Sequence, residues 1–423
     1  MKGRSTSLTS KILISLVLGI LAGIILHYLP AGVFKDTIVI NGICRLGGQG
    51  FLRLMQMLVV PLVFASLVCG AATMGDTKSL GKVGVTALVF YLITTVIAIV
   101  LAILTAKVFN PGIGLNLTAS QAIDTQAVTE RPSFIDTLLN MIPTNPFNAL
   151  AEGNMLPVII FALLTGICIA SLGTKAKSIA TFFTDFNEIM MKMTMMIMKL
   201  APIGVFCLIT KTFSDIGFNA MVPLLKYIAC VTVALAIHMC FVYQGMLKAI
   251  TKLSPLTFLK KFASVISLAF STATSSATIP LSIDTLEKMG VPRKISSFTI
   301  PLGTTINMDG TAIMQGVAVV FVAQAFGIEL GLSGYLTVII TATLASIGTA
   351  GVPGSALIML TMVFTSVGLP IEGISIIMGV DRIVDMCRTA VNVTGNGVCT
   401  TIIAHRQKEL DEEAFKTKGV SEI

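Results

Sequence analysis

Long runs of apolar residues dominate the chain, and short polar stretches separate them. Each run is about twenty residues long, which is the length that an α-helix needs to cross the hydrocarbon core of a bilayer. The runs are continuous and do not alternate with polar residues, which argues against a strand-rich barrel. The pattern therefore predicts an all-α integral membrane protein. In the first half, spans are predicted near 12–29, 51–73, 83–109, 155–172, 185–212 and 221–246.

The pattern changes after Leu253, because Gly, Ser, Thr and Pro begin to interrupt the apolar segments. One such cluster covers residues 271–280, a second covers 346–354, and a helix with polar residues follows each. Irregular backbone is tolerated at membrane depth only inside protein or along a water-filled cavity. Paired interruptions predict a transporter's binding site, here with two re-entrant hairpins whose exposed N–H groups favour an anionic substrate. In the alternative interpretation, Ser and Thr only bond back to their own helices.

Five polar side chains share one face of the last apolar helix. Their spacing is four, three, four and four residues, which places them on one narrow stripe. A charge inside the membrane is costly and usually marks a substrate or ion path. The stripe consists of Asp381, Asp385, Arg388, Asn392 and Asn396. The alternative is an Asp385–Arg388 salt bridge that only satisfies itself.

A polar stretch between glycines, residues 303–311, interrupts an apolar helix predicted from about Ser297 to Phe326. Asn307 and Asp309 supply oxygen atoms there, and hard cations prefer such ligands. A buried Asp309 needs a positive partner, and no Lys or Arg lies at helical spacing from it. A monovalent cation is therefore predicted beside it. The alternative is a protonated or helix-capping aspartate.

Composition agrees with a membrane protein, because 54% of the 423 residues are hydrophobic and 12% are charged. The net charge is +8, and Lys and Arg lie mainly in the short connections between apolar runs. By the positive-inside rule these connections are cytoplasmic, which places both termini in the cytoplasm. The positive charge therefore reflects membrane orientation rather than nucleic-acid binding. The eight cysteines show no CxxC spacing, and His27, His238 and His405 lie far apart. Neither a disulfide framework nor a zinc site is predicted. No grouping of nucleophile, base and orienting residue emerges, so an enzyme is not expected.

Three motifs resemble those of the glutamate transporter family, the dicarboxylate/amino acid:cation symporters. They are Asn-Met-Asp-Gly-Thr at 307–311, the two interrupted clusters, and the run from Asp385 to Gly395. The resemblance implies eight transmembrane helices and two re-entrant hairpins, assembled as a homotrimer in which a transport domain slides against a scaffold. It assigns 1–253 mainly to scaffold and trimerisation helices, 254–405 to the transport core and 406–423 to a cytoplasmic tail. Within the first range, 83–109 and part of 179–246 would contribute to the transport domain or flank it. From its mixed charges, this tail is predicted to be a solvated extension.

The resemblance also implies a substrate site. Asp385 would bind the amino group of the substrate and Arg388 its side-chain carboxylate, a role that suits the planar fork of arginine. Family members for neutral amino acids lack the arginine, and the dicarboxylate carriers lack the aspartate. The presence of both points to L-aspartate or L-glutamate. The full implied set is Ser275, Thr311, Val352, Asp385, Arg388, Thr389 and Asn392.

Three sodium sites are implied in the same way. One uses Tyr91, Thr94, Thr95, Asn307 and Asp309; another uses Gly303, Asn307, Asn392 and Asn396; the third uses Thr305, Met308, Ser346, Ile347 and Thr349. Sodium-coupled relatives commonly have aspartate where this chain has Asn396, and proton-coupled relatives often have asparagine. The stretch 305–308 is nevertheless similar to sodium-coupled members. Co-transported sodium is therefore expected, with protons as the alternative.

The expected function is sodium-coupled uptake of an acidic amino acid across the inner membrane by a multi-pass homotrimer among membrane lipids, moving by an elevator mechanism. The alternatives are a proton-coupled glutamate/aspartate symporter, a C4-dicarboxylate symporter, a cystine carrier and an anion channel. The family tends to place an extra arginine where this chain has Ala273 or Met386. Arg382 is predicted either to substitute for it or to pair with Asp381.

Overall fold

The computed structural model describes residues 8–73, 81–115, 139, 142–217, 221–346 and 355–416. Every regular element in these residues is helical, which confirms the all-α prediction. The helices are α1 Leu8–Tyr28, α2 Arg45–Thr73, α3 Gly81–Phe109, α4 Pro146–Glu152, α5 Met155–Leu172, α6 Lys177–Met198, α7 Ala201–Ile216, α8 Met221–Ile237, α9 Gln244–Thr251, α10 Pro255–Thr272, α11 Ile279–Lys288, α12 Arg293–Ile306, α13 Asp309–Ala325, α14 Leu332–Ser346, α15 Ser355–Ser366, α16 Gly373–Arg406 and α17 Glu412–Lys416. A π-helical segment, His238–Tyr243, joins α8 to α9, and another, Val33–Cys44, precedes α2.

Five helical stretches of the described residues are long and apolar enough to cross a membrane. They are Val33–Ala72, Val83–Phe109, Pro157–Met198, Met221–Thr251 and Arg293–Ala325, and three shorter apolar helices accompany them. A membrane protein is therefore confirmed in outline. The eight-span arrangement and the homotrimer stay predictions.

One predicted span is wrong. The interval 185–212 is divided between α6 and α7, because the helix stops after Met198 and a new one begins at Ala201. Pro202 lies in the first turn of α7, where its missing N–H costs nothing. In a continuous helix the same proline would remove a hydrogen bond and clash with the preceding turn.

The packing places α13 and α16 at the centre of the second half. Of the seventeen residues of α13, only Gln324 is not buried. This helix contacts α3, α8, α14 and α16, while α16 also packs against α10 and α12. In the first half, α1 packs against α7, and α2 against α5, α6 and α7. A polar residue on α13, or on the buried stretch of α16 from Arg388 to Ala404, therefore meets protein rather than lipid.

The first interrupted cluster lies between two helices that pack against each other, as predicted. Ala273 ends α10 in the left-handed conformation, with φ of 49°, and a short 3-10 turn, Ser276–Thr278, leads into α11. The helices α14 and α15 flank the second cluster and also pack against each other. Residues 347–354 of that cluster lie outside the described residues. Re-entry of either helix pair into a bilayer stays a prediction.

Residues 407–416 are mostly exposed or half-buried, in line with the predicted solvated tail, but one buried ring anchors them. The Phe415 ring is fully buried, and the Lys261 ammonium donates to the carbonyls of Ala414 and Phe415, each at 2.9 Å. The Asp411 N–H donates to the Gly290 carbonyl at 3.0 Å. The tail is therefore anchored on the base of the α10–α11 pair. Residues 417–423 lie outside the described residues.

Candidate substrate and cation site

The helix predicted over 297–326 is interrupted at Asn307 and Met308, between α12 and α13. Asn307 is extended, with φ of −83° and ψ of 101°, and Met308 does not continue the helix. Asp309 then opens α13, where the positive end of the helix dipole favours a carboxylate. The interruption is therefore where the sequence predicted it, and it exposes backbone and side-chain oxygens inside the protein.

The Asp309 carboxylate is fully buried and accepts several hydrogen bonds. The Thr95 hydroxyl donates to Oδ1 at 2.5 Å, and the Tyr243 hydroxyl donates to Oδ2 at 2.7 Å. Nε2 of His238 lies 3.1 Å from the same Oδ2, and both side chains are inaccessible. These groups come from two helical segments, α3 and the π-helical segment His238–Tyr243. Asp309 thus has polar partners on both oxygens without any Lys or Arg.

An amide cluster adjoins this carboxylate. Nδ2 of Asn307 donates to the Asn392 carbonyl and to Oδ1 of Asn396, both at 2.9 Å. Oδ1 of Asn392 accepts the Gly310 N–H at 2.7 Å. These contacts fix the start of α13 against two consecutive turns of α16. They bring together three of the amide side chains predicted to bind cations.

Gly303 allows the closest approach within this cluster. A β-carbon at this position would lie 2.6 Å from Oδ1 of Asn396 and 2.6 Å from the Tyr91 hydroxyl oxygen. A β-carbon essentially never lies this close to a non-bonded oxygen, so any side chain would displace one of these groups. The absence of a side chain places the Gly303 backbone beside Asn396, which shares the predicted second cation site with it, and beside Tyr91, which belongs to the predicted first site.

Four ionised groups on α16 form a buried network. The Arg388 guanidinium donates to Asp381 at 3.0 Å and to Oδ1 of Asp385 through Nε at 3.0 Å and Nη2 at 2.9 Å. Arg382 donates to Oδ2 of Asp385 at 3.0 Å. Arg382 therefore pairs with Asp385, and the predicted pairing with Asp381 is wrong. Two positive and two negative groups balance, which limits the large cost of burying charge.

Within the described part of the chain, a cavity of about 20 Å³ adjoins Asp381, Arg382 and Asp385. A volume of this size admits about one water molecule. The charged groups of a larger ligand would have to exchange with the ion pairs already formed.

The amide cluster and the charged network are neighbours. A β-carbon at Gly310 would lie 2.5 Å from the Arg388 carbonyl oxygen, so the start of α13 touches α16 at that turn. The next turn of α16 carries Asn392, which bonds Gly310. One continuous polar region therefore extends along α16 from Asp381 to Asn396.

The other predicted residues show mostly local contacts. Thr94 donates to the Tyr91 carbonyl, Thr305 to Pro301, Ser346 to Thr343 and Thr389 to Asp385, each within its own helix. Thr311 is buried and lies 3.9 Å from the Met308 sulfur, which also accepts from Asn392 at 3.6 Å. Ser275 is buried after the first interruption. Ile347, Thr349 and Val352 lie outside the described residues.

Two residues at the centre of the site were missed in the sequence. His238 and Tyr243 begin and end the π-helical segment and both contact Asp309. A histidine within an apolar span was a usable signal, because ionisable residues in membranes tend to be functional. Its partner could not be identified, since Asp309 lies 71 positions further along the chain.

Comparison with known proteins gives a consistent result. A family model described as the sodium:dicarboxylate symporter family matches residues 8–406. The chain is 37% identical over 419 residues to a proton/sodium-glutamate symport protein of Bacillus caldotenax, covering 98% of this chain and 97% of the relative. It is 37% identical over 422 residues to the proton/glutamate-aspartate symporter of Escherichia coli (strain K12), covering 98% and 96%. It is 32% identical over 416 residues to a C4-dicarboxylate transport protein of Edwardsiella ictaluri (strain 93-146), covering 96% and 94%.

Proposed function

Because the chain belongs to the sodium:dicarboxylate symporter family, we propose that it carries L-aspartate or L-glutamate across the inner membrane together with sodium ions. The protein is a membrane transporter and not an enzyme. The observation that carries the choice of substrate is the buried Asp385–Arg388 pair, at 2.9 Å. An amino acid with a second carboxylate has complementary charge for both partners.

The proposed binding step is an exchange of ion pairs. The side-chain carboxylate of the substrate would replace a carboxylate on the Arg388 fork, and its ammonium group would take an oxygen of Asp385. Thr389 and Asn392 lie on the same face of α16 and would hold the main-chain groups, with Ser275, Thr311 and Val352 completing the pocket. Each charge that leaves a partner finds a new one, so the buried network stays balanced.

The proposed cation sites use the oxygens around the α12–α13 interruption. One combines Tyr91, Thr94, Thr95, Asn307 and Asp309; a second combines Gly303, Asn307, Asn392 and Asn396; the third combines Thr305 and Met308 with Ser346, Ile347 and Thr349. Asp309 provides the formal charge. The Thr95 and Tyr243 hydroxyls can rotate and present lone pairs in place of the protons they now donate. Around Asp309, rotation of these hydroxyls would therefore be enough to present oxygen lone pairs to sodium.

A proton-coupled symporter is the second candidate. Two observations favour it: Asn396 leaves its site without a carboxylate, and Asp309 already has donors or a histidine partner on each oxygen. A C4-dicarboxylate would match Arg388 but would leave Asp385 without an ammonium partner. The proposed homotrimer, with a transport core in 254–405 that moves as an elevator, applies to each of these candidates.

Uptake into proteoliposomes tests the proposal. Radiolabelled aspartate, glutamate, cystine and succinate would be supplied under separately imposed sodium and proton gradients. We expect sodium-driven uptake of aspartate or glutamate that rises with an inside-negative potential, because one net charge gains about 2.3 kcal/mol per 100 mV. Uptake driven equally well by a proton gradient alone would exclude sodium coupling, and preferred uptake of succinate would exclude an amino-acid substrate.

A further inference from the structure

A groove of about 260 Å³ lies between α3, α9 and α16, outside the site described above. Its floor includes Cys399 and Ile403 of α16, both fully or almost fully buried. Its α3 wall is formed by Val85, Val89 and Ile93, which are 61%, 48% and 48% exposed. Because α3 is a membrane-spanning candidate, apolar side chains exposed along it face the hydrocarbon of the bilayer.

The groove has a charged residue at one end. Of the described residues that line it, Arg406 is the only charged one, and it is also the last residue of α16. Its side chain is exposed and has no ion-pair partner within the described part of the chain. The apolar lining is thus placed to contact an acyl chain, and the single guanidinium is placed to contact a lipid headgroup.

The described residues that line the groove include no acidic side chain that could pair with Arg406. Met246 and Ile250 form the α9 wall. The acidic residues that follow Arg406 have other partners, since Glu409 pairs with Lys294 and Glu412 with Lys416. By the positive-inside rule this end of α16 lies at the cytoplasmic leaflet, which carries anionic lipid headgroups.

We propose that this groove binds one anionic phospholipid, with an acyl chain between α3 and α16 and the headgroup phosphate on Arg406. The occupant is a lipid because the groove is open to the hydrocarbon along α3 and polar only at its end. The preference for a net negative headgroup follows from Arg406. Lipid recognition of this kind is independent of the proposed substrate and of the coupling ion.

The chain contains no tryptophan, so a single introduced tryptophan reports on one place in the protein. The reporter variant is Met246→Trp, in the groove, with Val89→Trp as a second reporter on the opposite wall. The matched control is Leu104→Trp, at a 58% exposed position of α3 outside the groove. Each variant is reconstituted with brominated phosphatidylglycerol or brominated phosphatidylcholine at increasing fractions, and quenching of tryptophan fluorescence gives the relative affinity of the two lipids.

We expect the groove reporters to prefer phosphatidylglycerol about fivefold, the selectivity that one basic residue near the membrane surface provides. The control should show no preference. Adding Arg406→Gln to Met246→Trp should bring the ratio to one. Equal ratios at all three positions would overturn the proposal, as would a preference that survives Arg406→Gln. A groove reporter that no lipid quenches, beside a quenched control, would show a protein occupant and overturn it as well.

Discussion

Replacing Arg388 with glutamine perturbs the charged network on α16 at its most connected member. The Arg388 side chain is 3% exposed and bonds both Asp381 and Asp385. After the change, two buried carboxylates would share Arg382 as their only remaining basic partner in the network. Removing one partner of a buried pair costs about 3–5 kcal/mol, because a charge stays buried without compensation. We expect the substrate-free protein to unfold at a lower temperature in detergent.

The same change should weaken binding of an acidic amino acid. Loss of one partner from a buried, hydrogen-bonded charge pair costs about 2–5 kcal/mol, which corresponds to about 30-fold to 4,000-fold in affinity. Isothermal titration calorimetry with L-aspartate in saturating sodium measures this loss directly. A neutral amino acid of similar size should lose much less affinity, because it has no carboxylate for the missing guanidinium.

Arg293→Gln is the matched control. Arg293 also has two acidic partners, Asp284 at 3.2 Å and Glu287 at 2.7 Å, but its side chain is 59% exposed. Pairs of this kind contribute little, since water and salt screen them. This variant should keep the stability and aspartate affinity of the parent protein. If Arg388→Gln also kept the parent affinity while folding normally, the assignment of the substrate site to this network would be refuted.

Three further predictions concern other parts of the structure. Gly303→Ala should raise the sodium concentration for half-maximal aspartate binding at least severalfold, because the new methyl group collides with two groups of the proposed cation sites. The control Gly245→Ala, which has open space around it, should leave this concentration unchanged. Equal sodium dependence in the two variants would contradict the prediction. His238→Leu should alter that sodium dependence more than His238→Gln, which keeps a polar partner for Asp309; identical behaviour in binding titrations would show that His238 is only a packing residue. Phe415→Ala removes a fully buried ring, which should lower the free energy of packing the tail by about 3 kcal/mol or more. The tail should then detach, and amide hydrogen exchange at 407–416 should become fast. Unchanged exchange would contradict the anchoring role.

The central polar elements could be predicted because their signal is local. The stripe from Asp381 to Asn396 follows from helical periodicity alone, and the interruption at Asn307 follows from polar residues and glycine within an apolar run. Intramembrane polar residues are rare enough that each one carries information. The helix boundaries of α3 and α5 agree with prediction for the same reason, since long apolar runs are unambiguous.

The contacts that require the fold could not be predicted. His238 reaches Asp309 from a π-helical segment, and no periodicity within either segment indicates that pairing. Arg382 could bond either carboxylate on its helix, and the choice of Asp385 depends on side-chain directions. The buried Phe415 lies in a stretch whose mixed charges suggested solvent, because composition does not reveal a single anchoring ring.

Complete enclosure of α13 has a mechanical consequence. A bilayer that is too thick or too thin acts on the helices it touches, which respond by tilting or by deforming the lipid around them. Since α13 is buried along nearly its whole length, this stress reaches it only through its neighbours. The start of α13, where we propose the cation sites, is therefore insulated from membrane thickness. A change of host membrane should alter the rate of transport before it alters the choice of coupling ion.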